Sequence, residues 1–166
     1  MRRTIILFLG LCCTFTLYSQ IHLVRDGKAT GRLIADMNCK ENKQAVSIFN
    51  YFITKITGAA LPVVPPGVKE KRGDVIFKSL NGTGLSDYSS GIGEDGYNIT
   101  CDGICCYITG GKGSGITNGV IALLEDYFGV RYYAADACYY PENSTISLPS
   151  FLNLTENPGF VYRQTQ

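Results

Sequence analysis

The sequence predicts an α+β fold: a mixed β-sheet with two amphipathic helices packed against it. Three observations predict it. Ala45, Ile48, Phe49, Phe52, Ile53 and Ile56 fall at i, i+3, i+4, i+7, i+8 and i+11, one unbroken apolar stripe on a helix. Ile116, Val120, Leu123, Leu124 and Tyr127 repeat that spacing further on. Between and around them lie short apolar runs closed by Gly, Pro, Asn and Asp, the pattern of strands and turns. Two helices with one greasy side each need a sheet face to bury against.

In chain order, Ile21 to Arg25 reads as a strand, Asp26-Gly27-Lys28 as a turn and Arg32 to Ala35 as a second short strand. The first helix has Asn38 as its expected N-cap, with Glu41 three residues later as capping-box partner. Gly58 stands where a left-handed C′ residue is wanted. Leu61 to Val64 follows, stopped by Pro65-Pro66, and Asp74 to Leu80 is the next strand. Residues 81–94 are rich in Gly and Ser and read as a loop. Ser114 is placed to cap the second helix and Gly129 to end it. Gly119 lies on that helix's apolar stripe, so it is expected to let the helix approach the sheet closely. Val130 to Ala134 and Thr145 to Leu148 read as further strands.

Tyr97 to Cys101 and Ile104 to Ile108 flank Asp102-Gly103, a pair suited to a type I′ turn. A two-residue turn there sets Cys101 opposite Ile104, Ile99 opposite Cys106 and Tyr97 opposite Ile108, all on the core face. Cys105 and Cys106 then point to opposite faces and are poor partners for one disulfide. Cys106 reads as a small buried apolar residue.

The first twenty residues resemble an export signal. Arg2 and Arg3 precede an apolar stretch from Ile5, and Ser19 or Gln20 offers a cleavage point. That stretch is shorter than the roughly 20 residues of a comfortable span, which favours a cleaved leader over a retained anchor. Leu11, not a small residue, precedes Cys12, which argues against lipidation. The expected location is periplasmic or extracellular, with no stable membrane span after signal removal. The remainder is the size of one domain: residues 21–150 as an α+β unit and 151–166 as a linker.

With a net charge of +1 and no basic stripe, the sequence points away from nucleic acid. Cys39, Cys101, Cys105, Cys106 and Cys138 remain after the leader, an odd number, so at least one thiol is free or pairs between chains. Cys101 and Cys105 have no second pair or histidine cluster to complete a zinc pattern. The one histidine, His22, is expected to be a solvated strand residue, which leaves no support for a histidine-based nucleophile. Neither a cofactor nor a metal is expected. "ITGGKGSGITNGV", Ile108 to Val120, invites comparison with phosphate-binding loops. It fails both templates: Lys112 sits between glycines, and Gly119 is one place late for G-x-G-x-x-G. The glycines are expected to turn the chain sharply from strand to helix. The carboxylate pairs Glu94-Asp95 and Glu125-Asp126 read as solvated charges rather than the placed acids of a glycosidase.

Glu94 to Asp136 resembles the non-catalytic N-terminal domain of bacterial α-glucuronidases and related exported glycoside hydrolases, including β-hexosaminidase-like enzymes. The shared pattern is carried by Gly96-Tyr97, by Ile108-Thr109-Gly110, and by Gly119, Val120, Leu123, Leu124, Glu125, Gly129, Arg131 and Tyr133. "ITGAALPVV", Ile56 to Val64, fits the helix stop and Leu-Pro strand of such domains. Asn118 departs from the pattern, where relatives often carry Tyr. The resemblance implies a bacterial accessory domain with no catalytic residues of its own. It also implies an active site in a separate (β/α)₈ barrel that begins after a segment like Glu156 to Gln164, where this chain stops. In a bacterial setting the sequons at Asn81, Asn98, Asn143 and Asn153 are chance.

Eleven tyrosines and no tryptophan add one more candidate. Tyr132, Tyr133, Tyr139 and Tyr140 cluster around "RYYAADACYY", and aromatic rings with polar tips suit sugar faces and protein interfaces alike. A free-standing carbohydrate- or protein-binding module is therefore the alternative, with polysaccharide as its partner. Tyr162 and Arg163 join these tyrosines as candidates for a surface that docks a barrel.

Overall fold

The computed structural model describes residues 20–80, 91–134 and 137–157. Among them are eleven strands and two helices. The expected α+β architecture is present: a mixed six-stranded sheet with both helices packed on it.

β1 (Gln20–Arg25) turns through Asp26 and Gly27 into β2 (Lys28–Ala29), and both turn residues have positive φ, 51° and 69°. Positive φ at two central residues is what a tight hairpin requires. β3 (Leu33–Ile34), helix α1 (Lys40–Thr57) and β4 (Val63–Val64) form a parallel strand–helix–strand unit. β5 (Val75–Ser79) lies parallel to β3 on its other side. β6 (Tyr97–Asp102) and β7 (Cys106–Gly110) form the expected antiparallel hairpin, and β7 is also parallel to β5. Helix α2 (Gly115–Phe128) leads to β8 (Arg131–Ala134) and β9 (Ala137–Tyr139), a separate two-stranded ribbon. β10 (Ile146–Pro149) pairs with β1, and β11 (Phe151–Glu156) pairs antiparallel with β6. The large sheet runs β11-β6-β7-β5-β3-β4.

Strand alternation divides the side chains cleanly. Leu33, Val75, Phe77, Ile99, Cys106 and Ile108 face the helices and join the main core with Phe49, Ile53, Leu123 and Leu124. Ile34, Ile76 and Cys105 face the other way and build a smaller cluster, flanked by Val64, Val68 and Tyr107. Phe49 is the pivot, edge-on to Phe77 of the sheet at 5.9 Å and to Phe128 of α2 at 6.1 Å. Arg32 and Asp74 tie the β3 and β5 strand starts together: Arg32 donates from Nε and Nη2 at 3.0 and 2.6 Å to a fully buried carboxylate. Burial raises the Asp74 pKa, but the guanidinium and the Lys71 amide outweigh it and hold the carboxyl below its ordinary value.

Four sequence expectations are corrected. The α1 N-cap is Cys39, not Asn38, and no side chain makes the cap hydrogen bond; the Asn38 amide instead donates to Asp36 Oδ1 at 2.9 Å. Both helix stops stand, with φ of 75° at Gly58 and 71° at Gly129.

The β6–β7 turn is centred on Gly103-Ile104, one residue later than Asp102-Gly103. The Asp102 carboxylate accepts from the amides of Ile104 and Cys105, and Gly103 takes the positive φ as first loop residue. Moving the centre by one residue moves each partner by two. Inward residues therefore stay inward, but Ile99 now faces Ile108, Cys101 faces Cys106 and Tyr97 faces Gly110. Ile104 leaves the core face and is 52% exposed.

His22 is not freely solvated. Its Nδ1 is buried without a hydrogen-bond partner, and burial, with Arg25 and Arg72, lowers its pKa.

Finally, residues 151–156, expected to open a linker, are the edge strand β11 of the main sheet. The rest of that stretch, from residue 158, lies outside the described residues.

Candidate functional site

The glycine-rich stretch between β7 and α2 is the first place to look for chemistry. Three of its amides are engaged within the chain. Gly111 N donates to Gly96 O at 2.9 Å, Gly113 N to Glu94 O at 2.7 Å and Ser114 N to Asp95 Oδ1 at 2.7 Å. Asn118 Nδ2 reaches back to Asp95 O at 2.9 Å. The loop before β6 thus laces the loop before α2, and Asp95 holds the start of the helix where the Ser114 hydroxyl was expected to do so.

The glycines make that lacing fit. A Cβ on Gly110 would strike the backbone of Ile116; on Gly111, the Gly93 carbonyl; on Gly115, the Gly96 carbonyl. A Cβ on Gly119 would stand 3.2 Å from the Tyr97 Cβ and 3.1 Å from Ile108 Cγ2, so helix and hairpin approach closely there, as expected. Those three donors are committed to two carbonyls and a carboxylate.

The carboxylates are distributed in the same way. Asp95 anchors α2, Glu94 contributes its backbone carbonyl, and Glu125 accepts on its carbonyl from Arg131 Nη1. Glu156 of β11 accepts from the Tyr97 hydroxyl at 2.7 Å. Burial first, and this carboxylate second, push the Tyr97 phenol well above its ordinary pKa. No group of three or more His, Cys, Asp or Glu placed to hold a metal occurs among the described residues. No helix there is long and apolar enough to cross a membrane.

What the fold does assemble is an aromatic surface on β8, β9 and the adjoining face of α1. Phe52 is its buried foot. Tyr51, Tyr132 and Tyr140 stand edge-on to Phe52 at 5.2, 5.6 and 6.4 Å. Tyr133 and Tyr139 are 75% and 55% exposed. Lys55 Nζ lies 5.5 Å over the Tyr51 ring and adds a cation to the same helix face. Burial, and then Glu125 and Cys138, raise the Tyr132 phenol pKa.

The structure therefore brings together the four tyrosines singled out in the sequence, and sorts them. Tyr133 and Tyr139 present open rings, Tyr132 is half anchored, and Tyr140 is half-buried as a packing residue. Tyr51 escaped sequence reasoning because it lies just off the α1 stripe; an aromatic one position outside an apolar stripe was the available signal. Tyr162 and Arg163 lie outside the described residues.

No family model matches the chain, and no curated protein matches it. Among solved structures the chain is similar to a GH138 enzyme targeting pectin rhamnogalacturonan II. The identity is 19% and the TM-score 0.40, over 57% of this chain and 9% of that one. The matched region is a small part of that enzyme's length.

Proposed function

We propose that the chain is an accessory domain of an exported bacterial glycoside hydrolase of the α-glucuronidase-like type, serving polysaccharide breakdown without cleaving bonds itself. The supporting observation is what the motif residues do. A Cβ on Gly96 or Gly110 would strike neighbouring atoms, and one on Gly119 would crowd Tyr97 and Ile108. Tyr97 packs under α2 and bonds Glu156; Val120, Leu123 and Leu124 fill the core; Arg131 binds the carbonyls of Glu125 and Val130 near the end of α2. The pattern that resembles the family is a scaffold pattern, and a scaffold held this tightly serves to position a neighbouring catalytic barrel. The test is turnover. The purified chain, incubated with a panel of aryl glycosides, is expected to release no aglycone, and release that follows the folded protein through purification would overturn the proposal. The coding sequence downstream supplies the second check, an in-frame (β/α)₈ barrel.

The exposed rings of Tyr133 and Tyr139 favour a second reading, a carbohydrate-binding module. It predicts retardation of the chain in a polysaccharide-containing native gel, lost in Tyr133→Ala or Tyr139→Ala.

A further inference from the structure

The corrected hairpin register brings Cys101 and Cys106 face to face. Their position in the ladder follows from the neighbouring bonds. Asp102 N donates to Cys105 O at 3.2 Å, so Asp102 and Cys105 form a hydrogen-bonded pair. Cys106 N donates away from β6, to Asp74 O at 3.0 Å. Cys101 and Cys106 therefore occupy the next, non-hydrogen-bonded position, where facing Cα atoms approach to about 4.5 Å and side chains are closest. That separation lies at the near edge of the roughly 4.4–6.8 Å that a disulfide spans. Both thiols sit on the core face, 3% and 0% exposed.

The remaining cysteines are placed elsewhere. Cys105 belongs to the cluster on the opposite face of the sheet, where burial pushes its thiol up to about 11. Cys39 stands at the start of α1 with its Sγ donating to the Glu41 carboxylate, and Cys138 is on the exposed ribbon.

We propose that Cys101 and Cys106 are a modification site, closing a cross-strand disulfide when the chain folds in the presence of a disulfide oxidant. The Cys101 thiolate attacks one sulfur of a small-molecule disulfide such as glutathione disulfide, and one glutathione thiolate leaves. Cys106, losing its proton, attacks the Cys101 sulfur of the mixed disulfide, and the second glutathione thiolate leaves. The protein is oxidised by two electrons, the oxidant is reduced by two, and the two thiol protons go to the departing thiolates. Exchange takes place on the hairpin before α2 closes over it. In the finished fold both sulfurs lie in the main core, which α2 closes with Val120, Leu123 and Leu124. The buried bond is then shielded from reductants, and an oxidising compartment, which the proposed function implies, is where such a bond persists.

The experiment is to refold the full chain in a glutathione/glutathione disulfide buffer, quench with acid, and alkylate under denaturing conditions. A protease that cuts before aspartate then separates Cys101 from Cys106. The expected result is one disulfide-linked species joining the two peptides, unchanged in Cys105→Ser, with Cys39, Cys105 and Cys138 alkylated. Alkylation of both Cys101 and Cys106, or a link from either to another cysteine, would overturn the proposal.

Discussion

Tyr97 and Tyr133 are the same residue type in opposite situations, and their two regions divide the molecule. Tyr97 belongs to the junction of α2 with the β6–β7 hairpin, where it is 6% exposed and hydrogen-bonded to β11. Tyr133 belongs to the β8–β9 ribbon, where it is 75% exposed. The junction has a second layer: glycines bring helix and hairpin together until only a hydrogen atom fits at Gly110, Gly111 and Gly115. The ribbon has a single layer resting on Phe52, so alternate rings point into solvent. The lesson is that tyrosine content does not distinguish scaffold from surface; the layer beneath each ring does.

The comparison is broken most directly at the junction. Gly110→Val is expected to cost at least about 3 kcal/mol, because its Cβ meets the α2 backbone rather than a side chain that can swing away. Chemical denaturation of wild type and variant measures it, and a cost below about 1 kcal/mol would show that the two loops part easily.

Next in size is Asp74→Ala, expected to cost about 3 kcal/mol in the same measurement, since it leaves the Arg32 guanidinium without its buried partner. The Asp74 carboxyl titrates below its ordinary value in the folded state, so its contribution is present above the unfolded-state value and lost as pH falls through the folded one. The variant is thus expected to be less acid-sensitive than wild type in that window.

Tyr97→Phe, which removes only the bond to Glu156, is expected to cost roughly 1 kcal/mol. Tyr133→Ala sharpens the contrast: stability is expected to change by less than about 0.5 kcal/mol. If Tyr133→Ala matches Tyr97→Phe in thermal melts, the ribbon is part of the core and the division fails.

The smallest effect is the pH response of His22. Its folded-state pKa is depressed, so the unfolded chain takes up the proton first, and stability declines as pH falls below the ordinary histidine value of 6.5. His22→Gln is expected to flatten that slope in melts between neutral and mildly acidic pH.

Much of this was legible in the residues. Both helix stripes, both glycine stops, the close approach at Gly119 and the inward faces of β6 and β7 agree with the sequence expectations. β9 and β11 were not anticipated. "ACY" is too short for any period to register, and "FLNLTE" alternates within the stretch read as a linker. Of the aromatic surface, the sequence indicated the cluster but could not rank Tyr133 and Tyr139 above Tyr140, because the ranking depends on Phe52, far away in the chain.

Hydrophobic period, glycine and proline placement act over a few residues, so the sequence by itself determined both helices, the longer strands and the side of each that is buried. Tertiary structure alone decided which partner each buried side received. Asp95 captures Ser114, β11 completes the sheet edge, and Cys101 meets Cys106 instead of Ile104. Those outcomes depend on which donor and acceptor the assembled layers bring within reach, and in a strand with a period of two, registers two residues apart bury the same face equally well.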